Sequence, residues 1–123
     1  MIRILIVAVG GASGSVTRYL LGGWAAARWG TAFPYGTMLI NVTGSFLLGL
    51  VGVLTTERFS APQVRLLLGV GFMGGYTTFS TFQYESLQLL AQGSYARAAL
   101  NMGGSLALGL IGVWLGVVAA RLL

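Results

Sequence analysis

The chain has 123 residues, 56% hydrophobic and only 7% charged, with a mean hydropathy of +0.86, which excludes a soluble single-core domain and requires a membrane. Cysteine, histidine and aspartate are absent, which removes thiol chemistry, imidazole catalysis and the usual transition-metal ligand sets. Glu57 and Glu85 are the only carboxylates and lie on different segments, and the net charge of +5 comes from seven scattered arginines, so neither an enzyme nor a nucleic-acid binder is expected.

Apolar stretches long enough to cross a bilayer, about 20 residues or more, lie at 4 to 26, 34 to 55, 63 to 91 and 96 to 120. The expected fold is an all-α integral membrane protein of four transmembrane helices, one domain over 1–123. The amino-terminal MIRILIVAVGGASG has the outline of a secretory signal, but the apolar run continues past Arg18 through YLLGGWAAARW, so it reads as the first span. Within it Gly10 and Gly14, with Gly11 and Ser15 offset by one, have the spacing that lets two helix backbones approach closely in lipid. Arg18 sits well inside that span, where an arginine must snorkel, face water or find a partner. Structural anchoring and a place at an aqueous vestibule account for it equally.

Pro34 is placed to open span two. Asn41, Gly44, Ser45, Leu48, Gly49 and Gly52 follow at three- and four-residue steps and share one small, polar face. The Asn41 carboxamide can bond a neighbouring helix, worth about 0.6 to 2 kcal/mol, or offer two N–H donors to an anion.

Span three begins at Ser60 and Gln63, a capping-box spacing, with Pro62 between them. Its centre, GVGFMGGYTTFSTFQYE over 69–85, is the least lipid-like stretch of the chain. Gly74 and Gly75 each weaken a helix by about 1 kcal/mol, and either Thr77 or Thr78 can cap a new one, so a broken third span is expected there. Such a break is tolerated at membrane depth only where the freed backbone is buried in protein or lines a cavity. Phe79 and Phe82 share a helical face that Ser86 continues, while Ser80 and Thr81 point elsewhere; in an arbitrary sequence that phenylalanine pair is ordinary packing. Gly93 closes the span as a left-handed cap.

Span four matches span two at a constant offset of 60, with NMGGSLALGLIGV over 101–113 set against NVTGSFLLGLVGV over 41–53. An internal repeat of 1–60 on 61–123 is the expectation, with spans two and four running in the same direction. Arg3, Arg58, Arg65 and Arg121 fall on one side of the membrane and Arg28, Arg97 and, by snorkelling, Arg18 on the other, so almost no basic excess sets the orientation. Four thin helices enclose little on their own. Insertion both ways permits an antiparallel dimer.

GGYTTFSTFQYE, together with GGASGSVTRY in span one and the Asn41 to Gly44 stretch, resembles the Fluc-type (CrcB-like) fluoride channels over essentially the whole chain. The resemblance implies a fluoride-selective channel exporting F− across the cell inner membrane of a prokaryote. It also implies an antiparallel, dual-topology homodimer with two pores and a structural Na+ at its centre. By motif position, Phe79 and Phe82 correspond to the pore phenylalanines and Asn41 to the pore asparagine, while Gly74 and Thr77 correspond to the residues whose backbone carbonyls hold sodium. Thr37, Ser80, Thr81 and Ser105 correspond to a hydroxyl-lined track, from which the chain departs in span four at Asn101 and Gly109.

The residue types suit that role. Fluoride holds its water tightly, so a pore must replace hydration with donors without trapping the ion. Hydroxyl and amide hydrogens do this, and an aromatic ring offers an electropositive edge to an anion where an aliphatic side chain offers none. Two rivals are a small multidrug-type secondary transporter, which needs a membrane-embedded carboxylate such as span one lacks, and a non-transporting membrane assembly subunit, which needs the glycines but not the hydroxyls and phenylalanines.

Overall fold

The computed structural model describes Met1–Leu123, all of it helix and short connection. Helix α1 is Ile2–Trp29 and α2 is Tyr35–Val53, extended by a wider turn over Leu54–Arg58. A composite helix, α3, starts with Pro62–Val64, widens over Arg65–Phe72 and regains regular winding over Met73–Tyr76. After an interruption come α4, Phe79–Ala91, and α5, Tyr95–Leu122. The helices of spans one, two and four are each long and apolar enough to cross a membrane, and the segment expected as span three is two half-length helices. The chain is a membrane protein whose third apolar segment is broken.

Glycine sets how the helices pack. A Cβ built on Gly10, Gly14 or Gly75 would fall on a backbone carbonyl oxygen, of Leu67, Phe72 and Gly11 respectively, so α1 and α3 touch backbone to backbone. The expected small-residue face of span one is this seam. Helices α2 and α5 form a second: Gly49 lies against the Val113 carbonyl, Gly112 against that of Val42 and Gly116 against that of Phe46. Met38 meets Gly104 near the start of this pair and Phe46 meets Gly116 further along, so the two helices run parallel.

Three expectations about helix ends met different fates. Gly93 adopts φ 75° and its N–H reaches the Leu90 carbonyl, while Ser94 N–H reaches that of Leu89, the left-handed closure expected of it. The Ser60 and Gln63 capping box does not form. Pro62 occupies the first helical position, which makes Ala61 the cap, and Ser60 turns away at φ 44° with no capping bond. The break falls at the threonine end of the expected Gly74 to Thr77 stretch rather than at its glycines. Gly74 and Gly75 remain helical, because Gly75 is needed for contact with α1, and the chain opens only at Thr77 (ψ 154°) and Thr78 (ψ 110°).

The buried apolar core gathers at this point. Ile40, Met73 and Tyr76 form it, flanked by Leu21, Leu47 and Phe72, and the Tyr76 hydroxyl meets Thr43 Oγ1 at 2.9 Å. Elsewhere large apolar side chains point outward, as lipid-facing helices require. At one end of the bundle Arg58 donates to the Leu123 carbonyl, and Arg121 pairs with Glu57 at 3.3 Å, an exposed pair of small energetic weight.

Candidate functional site

The site is built outward from the two extended residues. Thr77 ends α3, returning its hydroxyl and its N–H to the Met73 carbonyl, and Thr78 caps α4 by accepting from Thr81 N–H at 3.3 Å. The Thr78 hydroxyl also donates to Thr81 Oγ1 at 3.0 Å. Thr78 N–H donates to Asn41 Oδ1 at 2.8 Å, and Asn41 Nδ2 donates back to the Thr78 carbonyl at 3.0 Å. The Gly74 carbonyl, which a continuous helix would pair with Thr78, therefore has no helical donor, and Gly74 itself is exposed.

A cleft of about 780 Å³ opens beside the break, between α1, α2 and α4. Its polar lining includes Arg18, Thr37, Thr78, Thr81, Glu85 and Gln88. Arg18 does not run out to the membrane surface: its Nε donates to the Gly75 carbonyl at 3.0 Å, one turn before the break. Thr37 Oγ1 donates to Glu85 Oε1 at 2.6 Å, which ties the start of α2 to the middle of α4. Nothing in the sequence pattern pointed to that pair, since its members are 48 residues apart on separate spans.

The two phenylalanines stand apart from the cleft. Their ring centroids are 5.9 Å apart at an interplanar angle of 45°, with Phe79 71% exposed on the outer surface of the protomer and Phe82 half-buried. Ser80 is exposed next to them. Behind Phe82 runs a polar line: Ser86 Oγ donates to the Phe82 carbonyl at 2.7 Å, and Asn101, fully buried, donates from Nδ2 to Ser86 Oγ at 2.9 Å. Ser105 sits one turn on, 3.5 Å from Asn101 Oδ1. One chain thus gathers Arg18, Thr37 and Thr81 in the cleft, places Asn41 at the break, and sets Phe79, Phe82 and Ser80 on a surface that it does not itself enclose; Ser105, half-buried, donates to Asn101 Oδ1.

The family described as CrcB-like protein, Camphor Resistance (CrcB), matches residues 5–117. The chain belongs to the CrcB family. Among its relatives, a protein of Acidobacterium capsulatum is 51% identical over 97% of this chain and 96% of its own length. Others from Geobacter sulfurreducens, 50% identical, and Roseiflexus sp., 48% identical, each align over 98% of both chains. All three are named fluoride-specific ion channel FluC, and none is named as an enzyme.

Two residues of this CrcB chain escaped the motif. Asn101 stood out in the sequence as the repeat partner of Asn41 and as a departure from the hydroxyl track, and Ser86 only as a continuation of the phenylalanine face, yet together they hold α4 to α5. Asn101→Ala is expected to lower stability by about 1 to 2 kcal/mol, the upper range for an interhelical bond in a membrane. Ser86→Ala should cost less than or as much as that, and the double variant little more than Asn101→Ala alone, because both remove the same bond. Reversible unfolding in mixed detergent measures all three.

Proposed function

We propose that this CrcB-family chain is a fluoride-selective channel through which F− leaves the cytoplasm across the cell inner membrane of a prokaryote, assembled as an antiparallel homodimer of oppositely inserted copies. The observation that carries this reading is the interruption at Thr77 and Thr78, which starts α4 so that Phe79 and Phe82 lie beside neutral hydrogen-bond donors at the centre of the third apolar segment. A highly exposed aromatic at that depth, next to Ser80, fits a face completed by a second copy. The names of the relatives support the ion.

In this reading the cleft is the vestibule. Arg18 attracts the anion but has its Nε committed to the Gly75 carbonyl, so its charge is spread rather than offered as a tight trap. Thr37 and Thr81 line the cleft with hydroxyls, the Asn41 carboxamide keeps one N–H beyond the one given to Thr78, and the rims of Phe79 and Phe82 present partial positive charge while excluding water. Ser80 and Ser105 add hydroxyls along the faces of α4 and α5. A structural sodium ion suits the same break: the Gly74 carbonyl lacks a helical donor and Thr77 is extended, so two copies would supply four neutral oxygens with no carboxylate. Bound there, sodium would hold the copies together electrostatically.

The rival that an observation favours is proton-coupled transport, since Glu85 is a carboxylate inside the cleft. Liposomes containing only this protein separate the two. With a potassium ionophore balancing charge, fluoride is expected to leave rapidly and chloride to be retained, without any proton flux. Efflux equal to that of protein-free vesicles overturns the channel reading, and efflux that requires a proton gradient favours the transporter.

A further inference from the structure

Thr78 is held by one side chain at both of its peptide groups. In an unbroken helix its N–H would bond the Gly74 carbonyl, four residues back. Asn41 Oδ1 takes that proton at 2.8 Å instead, and Asn41 Nδ2 returns a bond of 3.0 Å to the Thr78 carbonyl. The pair of bonds fixes the carboxamide in one orientation, because exchanging its oxygen and nitrogen would set donor against donor and acceptor against acceptor. The neighbours of Asn41 press on the same point. Gly44 receives the Thr77 methyl group, and Thr43 bonds the Tyr76 hydroxyl at 2.9 Å, so one stretch of α2 grips Tyr76, Thr77 and Thr78 in turn.

We infer that Asn41 is the positioning residue of the break: it stands in for the missing helical turn at Thr78 and, by taking that N–H, keeps the Gly74 carbonyl open for a monovalent cation. The cation half of this rests on the fluoride-channel reading, whereas the clamp itself does not. A side chain serving only as an anion donor would leave the backbone of the break unchanged on removal. One serving as a clamp would not.

Hydrogen exchange at the Thr78 amide, followed in the full-length protein in nanodiscs, tests the clamp directly. Asn41→Ala is expected to speed that exchange about tenfold, the loss of roughly one buried hydrogen bond. It should also abolish any rise in melting temperature on replacing potassium with sodium. Asn41→Asp keeps an acceptor for Thr78 N–H and should retain the slow exchange, which covers the case in which the alanine variant fails to fold. Phe79→Leu should keep both slow exchange and sodium response while losing flux. Unchanged Thr78 exchange in Asn41→Ala, or fast exchange in a folded Asn41→Asp, overturns the clamp. A wild-type protein indifferent to sodium overturns the cation half. Slow exchange that depends on Asn41 in a protein passing no fluoride leaves the clamp standing and removes the channel reading.

Discussion

Replacing Phe79 by leucine is expected to reduce fluoride efflux to that of protein-free vesicles while the protein still purifies as the same assembly. The physical difference between the side chains is small in volume and large in charge distribution: a phenyl rim is electropositive, a leucine surface is not. The protomer's fold should survive because the ring lies 71% exposed on it with Phe82 as its aromatic contact, and the assembly because leucine keeps an apolar side chain of similar volume on the face a second copy would cover. Leucine is also the better helix former at the first position of α4. Efflux from liposomes and size-exclusion elution of the same preparation measure the two halves of this expectation. Undiminished flux in Phe79→Leu would count against the aromatic rim as an anion ligand.

The second large effect concerns fold. A Cβ on Gly14 would land on the Phe72 carbonyl oxygen and within 2.9 Å of Tyr76 N and 3.0 Å of Phe72 C, all of them backbone atoms that no rotamer change can move aside. Overpacking ordinarily costs about 1 to 3 kcal/mol, and Gly14→Ala should fall at or beyond the top of that range, since relief requires α1 and α3 to separate at the core beside the break. Gly23→Ala makes the same chemical change on the same helix where nothing lies within 4 Å of the new methyl group. It should instead stabilise by about 0.8 to 1 kcal/mol through helix propensity. Thermal unfolding in detergent gives both, and equal shifts for the two variants would show that the glycine seam does not govern α1 packing.

How far the site could be read in the sequence depended on whether its determinants are local. The phenylalanine spacing, a threonine cap and the Gly93 closure are short-range, and each appears in the structure, the cap falling to Thr78 of the two candidates Thr77 and Thr78. The break was expected over Gly74 to Thr77, on the grounds of glycine's weak helix propensity and a threonine cap at Thr77 or Thr78. It lies at Thr77 and Thr78 because a side chain 37 residues away offers Thr78 a better pair of hydrogen bonds than continued helix would, and because Gly75 must stay helical to touch Gly11. Arg18 was open between snorkelling and a vestibule for a similar reason. Its partner is a backbone carbonyl 57 residues on, and a carbonyl leaves no mark in the sequence.

Composition and hydropathy alone determined that this chain is a helical membrane protein, because a bilayer leaves a backbone few ways to satisfy its hydrogen bonds and every residue of a span reports on that constraint. The motif beside the interruption identified the kind of chemistry. Only the tertiary structure decided which peptide groups are left free, which side chain holds the break open, and that Thr37 with Glu85 and Ser86 with Asn101 join separate helices. Those outcomes turn on distances between residues far apart in the chain, set by where glycines allow the helices to meet.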